Sequence, residues 1–370
     1  ETKARFNLLI NDTPISFERP VVYKFNDNVY GETYKNFEII PAVNLKFAED
    51  VLIFDNVEPK EITISVTANS PEINGELDLI AGAGWKVEPL KTQFSIDQTG
   101  GSENLRFKIT PPEGQNETRL KAVATVNGNT YNQDLIEINY DHIPDQNLLK
   151  PATLKLVKLD ITKKGENIAY IEGAGDIVPE SLEQIGYKVT KISPADINLA
   201  TLTRYDAVVL GIRAFNVLEA LKYKQEILHE YVKQGGNMIV QYNTNRGLVV
   251  NELSPFNLEL SRNRVTNEES NIVFLAPEHP VLNFPNKLTK ADFEGWVQER
   301  GLYFPGTWDE NFTPILSMQD EGESPKHGSL LVAGYGDGYY IYTGLSFFRQ
   351  FPEAVPGAFR LFANLISIGK

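Results

Sequence analysis

Between residues 61 and 140, apolar and polar residues alternate with a period of two in five short runs. They are EITISVTANS (61–70), GELDLIAG (75–82), ENLRFKIT (103–110), RLKAVATV (119–126) and QDLIEINY (133–140). Successive side chains of a strand point to opposite faces, so each run predicts a strand with one buried face. Turn residues separate the runs: Ser70-Pro71, Gly100-Gly101, Pro111-Pro112 and Asn127-Gly128-Asn129, the last a tight-hairpin signal. Short strands spaced this way predict a β-sandwich over residues 1–160. The first 45 residues are less regular and rich in aromatics (YKFNDNVYGETYKNF), and read as a connector that becomes the first strand.

Near residue 160 the pattern changes. After the polar ITKKGEN, strands alternate with helical segments. NIAYIEG (167–173), KVTKIS (188–193), DAVVLGI (206–212) and MIVQY (238–242) read as strands. VPESLEQIGY (178–187) reads as a short helix with Pro179 in its first turn. NVLEALKYKQEILHEYVKQGG (216–236) reads as one long helix. Its Leu218, Leu221, Ile227, Leu228, Tyr231 and Val232 fall near one face, and Gly235-Gly236 ends it. This rhythm predicts an α/β domain over 161–370, a parallel sheet with helices on both faces. HGSLLVAGYGDGYYIYTGLSF (327–347) predicts an antiparallel hairpin, and AVPGAFRLFANLISIG (354–369) a closing helix.

The 370 residues suffice for two or three domains with full cores, 42% being hydrophobic and 23% charged. A net charge of −14 disfavours nucleic acid as a partner, because a phosphate backbone needs a basic face. With no cysteine, disulfides, thiolate metal sites and Cys nucleophiles are excluded. No run of about 18 apolar residues exists, so no membrane span is expected. The sequence starts Glu1-Thr2-Lys3, which reads as an excised piece of a longer protein or a processed chain.

The stretch MIVQYNTNRG (238–247) ends a buried strand in a polar turn, the place where open α/β sheets carry their chemistry. It offers Asn243, Thr244, Asn245 and Arg246, but no Cys or Ser for a strand-to-helix nucleophile elbow. GIRAFN (211–216) places Arg213 and Asn216 at the end of a neighbouring strand, and LSFFRQ (345–350) adds Ser346 and Arg349. KADFEGWVQERGLYFPGTWD (290–309) concentrates Trp296, Glu299, Arg300, Tyr303 and Trp308, which suits a packed loop, an interface or a sugar-stacking platform. Together these residues suggest a crevice with amide and guanidinium donors and no nucleophile, a site that binds rather than cleaves. Gly173-Ala174-Gly175 lacks the third glycine of a dinucleotide fingerprint, since Val178 stands there, and reads as a turn. No two of His142, His229, His279 and His327 have metal-ligand spacing. A carboxylate-based hydrolase would need two facing acids, for which Glu172, Asp292, Glu294, Glu299, Asp309 and Glu310 are the candidates.

GIRAFN, GGNMIVQYNTN, HPVLNFPNKLTKADFEGWVQERGLYF and GYYIYTGLSFFRQFPEAVPGAFRLFANLIS resemble the C-terminal half of large bacterial PIG-L/LmbE-type deacetylases. RPVVYKFNDNVYGE (19–32) resembles their β-rich middle. The resemblance implies an immunoglobulin-like sandwich followed by a flavodoxin-like domain of the class I glutamine amidotransferase-like group, which includes trehalose-utilisation-type proteins. In an active glutaminase of that group a Cys would stand near Asn243, and a His-Pro-Glu triplet near Ser346, where this sequence has no His. The deacetylases' zinc motif, an Ala-His-Pro-Asp-Asp run, is absent, so no family catalytic residue carries over. Zinc is therefore expected in a deacetylase domain outside this chain, and no cofactor within it. The resemblance implies a non-catalytic accessory region that binds a glycan or amino sugar or holds that catalytic domain in place, in the periplasm or outside the cell. A carbohydrate-active hydrolase using Glu172 or Glu299 is the alternative, and a purely structural module built around Trp296–Trp308 a third reading.

Overall fold

The computed structural model describes every residue except Glu1, Asp141, Pro144 and Asn251. Strand accounts for 43% of it and helix for 15%, which makes the protein β-rich. It divides into two compact units. The first comprises residues 1–50, 58–112 and 118–156, the second residues 51–57, 113–117 and 157–370.

The first unit opens with four strands, β1 (Lys3–Ile10), β2 (Thr13–Pro20), β3 (Val22–Asp27) and β4 (Gly31–Asn36). Residues 3–36 thus form a pair of hairpins rather than a connector leading into one strand. Only Val21 separates β2 from β3; its N–H donates to the Thr2 carbonyl at 2.9 Å and its carbonyl accepts from the Phe37 N–H at 2.9 Å. The hairpins therefore continue one another as a two-stranded ribbon. Phe6 faces Phe17 across β1–β2, with ring centroids 5.1 Å apart, and Leu8 faces Ile15. Phe6, Leu8, Ile10, Ile15 and Phe17 nevertheless stay 41–52% exposed. On the opposite face Arg5 pairs with Glu18 at 2.6 Å and the Ser16 hydroxyl donates to Asn7 at 2.9 Å.

The rest of the first unit holds β5 (Val43–Phe47), β7 (Lys60–Ala68), β8 (Ile73–Ile80), β9 (Lys86–Glu88), β10 (Lys91–Ile96), β11 (Ser102–Thr110), β12 (Asn116–Val126), β13 (Asn129–Tyr131), β14 (Gln133–Ile138), β15 (Gln146–Pro151) and the start of β16 (Thr153–Lys158); β6 (Val51–Phe54) belongs to the second unit. One sheet has the order β5-β7-β11-β9, another runs β10-β8-β12-β16, and β14 and β15 form a separate hairpin. The period-two pattern is realised directly: Ile62, Ile64, Val66 and Ala68 of β7 are buried, with polar residues between them facing out. Register places Phe47, Ile64 and Leu105 side by side across three strands, all on the buried face.

The second unit is built on a seven-stranded sheet, β18-β17-β19-β20-β27-β26-β24. Its strands are β17 (Asn167–Ile171), β18 (Lys188–Lys191), β19 (Ala207–Leu210), β20 (Asn237–Val240), β24 (Phe312–Pro314), β26 (Leu330–Tyr335) and β27 (Gly338–Thr343). The first five in spatial order are parallel, and β26 and β24 extend the sheet antiparallel. Alternate residues of one strand enter different cores: Val209, Ile239 and Ile341 on one face, Val208, Met238, Val240 and Tyr340 on the other. The first core is closed by α1 (Val178–Gln184), α5 (Pro280–Asn283) and α7 (Pro356–Ser367). The second is closed by α2 (Leu199–Leu202), α3 (Ala214–Val217) and α4 (Gln225–Lys233). Of the twelve residues of α7 only Pro356 and Arg360 are not buried, as its apolar composition on every side requires.

The long helix expected over 216–236 is instead α3, a 3₁₀ turn at Glu219–Tyr223, and α4. Leu218, at φ −105° and ψ 85°, leaves the helical region and ends α3. The tighter 3₁₀ winding resets the phase, so that Leu221, Leu228 and Val232 are still fully buried.

Two measurements check this packing. Ile64→Ala should cost about 2–5 kcal/mol in denaturant unfolding, whereas Phe17→Ser on the ribbon should stay within about 0.5 kcal/mol. The second concerns pH. His229 is packed edge-on against Tyr335 and Tyr340, and burial holds its imidazole below the ordinary 6.5. Burial lowers His279 likewise. The unfolded chain therefore takes up these protons first as pH falls through 6.5, so stability is full above that value and drops below it. Thermal unfolding followed from pH 7.5 downward should show the fall, and His229→Gln should flatten it.

Candidate functional site

The carboxyl ends of β17, β19 and β20 are knitted together by polar groups. After β17 the chain turns at Gly173, where a Cβ would lie 2.1 Å from the Ile212 carbonyl oxygen, so only glycine lets that carbonyl approach. The Ala174 N–H donates to the same carbonyl at 2.8 Å. The Asp176 carboxylate accepts from the Tyr170 hydroxyl at 2.6 Å, from the Val178 N–H at 2.9 Å and from the Ile212 N–H at 3.2 Å. The Tyr170 hydroxyl in turn accepts from the Gln241 amide at 3.1 Å. The Gly173-Ala174-Gly175 turn is a packing device.

The turn after β20 is held in the same way. Asn243 is fully buried. Its Oδ1 accepts from the Phe215 N–H at 2.8 Å, its Nδ2 donates to the Gln241 carbonyl at 2.9 Å, and its backbone N–H donates to the Tyr342 hydroxyl at 3.1 Å. Asn216 donates to the carbonyls of Thr244 and Arg246 at 3.0 and 3.1 Å and accepts from the Thr244 N–H at 2.9 Å. These amides are consumed in shaping the turn.

A cluster of aromatic rings lies beside it. Tyr242, the residue before the turn, has its ring within 11° of parallel to Tyr303, at 6.4 Å between centroids, and 5.1 Å from the Phe348 ring. The Arg349 guanidinium lies 4.9 Å from the Phe348 ring centre and pairs with Glu299 at 2.7 Å. Burial pushes the Tyr242 phenol up, and the Arg213 N–H donates to the Tyr242 carbonyl at 2.8 Å, which sets Arg213 next to this residue. Close packing brings the segments together: a Cβ on Gly301 would lie 2.3 Å from the Gly344 carbonyl oxygen, and the Ser346 N–H donates to the Arg300 carbonyl at 3.1 Å. Arg213, Gln298 and Tyr303 all hold a left-handed backbone, at φ 58°, 66° and 52°. Outside hairpins and turns, non-glycine residues are seldom held so, and such strain gathers at functional sites.

The expected site residues divide accordingly. Glu299 and Arg349 pair beside the Phe348 ring that packs on Tyr242, Arg213 is joined to Tyr242 through its backbone, and Asn216, Asn243, Asn245 and Arg246 form the adjoining turn. Four residues belong to the interior rather than to a ligand surface. Asn243 is spent as described. Ser346 is fully buried and donates to the Glu299 carbonyl at 2.6 Å. Arg300, 4% exposed, donates to the carbonyls of Ser270 and Phe293, and burial lowers its guanidinium to about 10. Trp296, 3% exposed, stacks on Phe293 and donates to the Asp292 carbonyl at 3.1 Å, so it is neither a sugar platform nor an interface residue. Glu172 is exposed and lies 3.8 Å from Lys191, which pairs more closely with Glu180 at 2.9 Å, while Glu299 is neutralised by Arg349. His279 caps α5, its Nδ1 accepting from the Val281 N–H at 3.3 Å. Among the described residues, no three His, Asp or Glu side chains group so as to hold a metal ion, and no helix is long and apolar enough to cross a membrane. Sequence reasoning missed Tyr242 and Phe348 as lining residues. Tyr242 was legible as the last strand residue before the turn.

No family model matches the sequence, and no curated protein does. Solved structures with some likeness include an exo-β-1,4-mannosidase from an Opitutaceae bacterium, at 13% identity and a TM-score of 0.30, over 54% of this chain and 34% of that one. The Reelin-N domain of F-spondin is 18% identical over 32% of this chain and 88% of that one, with a TM-score of 0.20. A C. elegans MSP family member is 10% identical over 32% and 97%, also at 0.20. At such TM-scores these likenesses decide neither fold nor function.

Asn243→Ala should leave the Phe215 N–H and the Gln241 carbonyl buried without their partner. Denaturant unfolding should show a loss of about 2–4 kcal/mol, whereas Asn245→Ala, half-exposed in the same turn, should cost under about 1 kcal/mol.

Proposed function

We propose that this chain is a non-catalytic, carbohydrate-binding accessory region of a PIG-L/LmbE-type amino-sugar deacetylase, and that the crevice around Tyr242 takes the ligand. One observation carries the binding reading. Three aromatic rings and the residues Arg213 and Arg349 adjoin a strand-end turn whose Asn216 and Asn243 amides are already engaged. Aromatic faces pack against the apolar faces of a sugar ring, and guanidinium groups donate to its oxygens. The relation to the deacetylases rests on the long motif resemblance, and with it the placement of zinc in a separate deacetylase domain and of the protein in the periplasm or outside the cell.

The spatial order β18-β17-β19-β20-β27 supports reading the second unit as flavodoxin-like and related to the glutamine amidotransferase-like group, with ligands at the carboxyl ends of the strands. The paired antiparallel sheets support an immunoglobulin-like reading of the first. In this reading Asn243 occupies the place of a lost nucleophile and keeps the elbow as shape, since a carboxamide with both ends bonded attacks nothing.

A glycan array with titration calorimetry tests the proposal. The chain should bind saccharides, and Tyr303→Ala should weaken binding about tenfold or more while leaving the melting temperature within a few degrees. Release of acetate from N-acetylglucosamine oligosaccharides by this chain alone, or no saccharide binding at all, would overturn it.

A further inference from the structure

Resting on that carbohydrate reading, we infer that the crevice recognises an acidic sugar, its carboxylate docking on Arg213 while the ring lies against Tyr303 and Phe348.

The two guanidinium groups at the crevice differ. Arg349 is neutralised by Glu299 and also donates to Gln298. Arg213 has no ion-pair partner among the described residues. Its Nε is buried without a hydrogen-bond partner, and the residue is half-buried. An arginine drawn partly out of water without a counter-charge is disfavoured, because the charge loses hydration and gains nothing in return. In a chain of net charge −14 carboxylates are abundant, yet Glu299, the acid beside these rings, pairs with Arg349 and not with Arg213. The point from which the side chain projects is fixed. Its backbone is pinned in a left-handed conformation at φ 58°, with the N–H donating to the Tyr242 carbonyl at 2.8 Å and the carbonyl accepting from Asn216 at 2.8 Å. A ligand carboxylate supplies what is missing, since it accepts from a guanidinium in a bidentate pair. The aromatic rings beside it add the sugar component: a free small carboxylate would satisfy Arg213 but leave Tyr303 and Phe348 uncovered.

The test compares galacturonic acid trisaccharide, its methyl ester, the matching neutral galactose oligosaccharide and free acetate, by titration calorimetry on the whole chain at low and high salt. The acid trisaccharide should bind about ten- to a hundredfold more tightly than its ester or the neutral sugar, and lose that advantage at high salt. Arg213→Gln should abolish the preference while keeping weak binding of neutral sugar. Arg213→Lys, which keeps the charge but not the fork, should retain part of it. Tyr303→Ala should weaken acid and neutral sugars alike. Thermal melts of each variant confirm that it is folded. Equal binding of acid, ester and neutral sugar would overturn carboxylate recognition and leave the carbohydrate reading standing. Acetate binding as tightly as the trisaccharide would overturn the acidic-sugar assignment. Binding of none of the four, with array binding of some other saccharide, would do the same. Failure of every saccharide would remove both readings.

Discussion

The second unit is organised around one buried carboxamide. Asn243 joins the amide that opens α3, the carbonyl that ends β20 and, through its own N–H, the hydroxyl of Tyr342 on β27. Three neighbouring segments are thereby locked in relative position by one buried residue whose side-chain amide and backbone N–H are all engaged. A buried amide satisfied on both sides is stabilising and directional, while the same group half-satisfied would cost more than an apolar side chain. The crevice inherits its geometry from this lock, because Arg213 and Tyr242 flank the groups that Asn243 holds.

The floor and the rim of the crevice obey different rules. Gly301 and Gly344 approach too closely for any side chain, and Ser346 and Arg300 are buried beneath. That floor has no freedom to change without displacing backbone. Tyr303, Phe348, Arg213 and Arg349 are half-buried and contribute chemistry rather than support. The left-handed conformations of Arg213, Gln298 and Tyr303 aim these side chains at some energetic cost, which the rigid floor offsets.

The sequence discloses regular elements well where one face is buried. The alternation in EITISVTANS corresponds to Ile62, Ile64, Val66 and Ala68 turned inward, and the buried runs NIAYI, AVVL and NMIV are the parallel strands. It misleads where helical spacing survives a change of winding, as at Leu218–Lys224. The apolar positions there still reach the core through a 3₁₀ turn, so periodicity alone shows no break. At the site, residue type indicated the right loops but not which side chains face outward. Trp296 and Arg300 look like ligand groups in one dimension and are core in three, because Phe293 and the carbonyls of Asp292 and Ser270 claim them. Tyr242 looked like the end of a strand and is the centre of a ring cluster with Tyr303 and Phe348. Whether a polar side chain is spent or free depends on long-range hydrogen bonds, such as the one from Phe215 to Asn243, that no local pattern encodes.

The ribbon of β1 to β4 sets the colloidal behaviour of the chain. It presents a strip of Phe6, Leu8, Ile15 and Phe17 to water, beside backbone edges that no strand of the described residues covers. Such surfaces attract their own kind at short range. What opposes this is the long-range repulsion of a net charge of −14. The two act over different distances. Repulsion fades as the screening length shrinks from about 10 Å at 0.1 M salt to about 3 Å at 1 M, while apolar attraction does not weaken. Ionic strength, more than temperature, is thus the variable that decides whether copies of this chain stay apart.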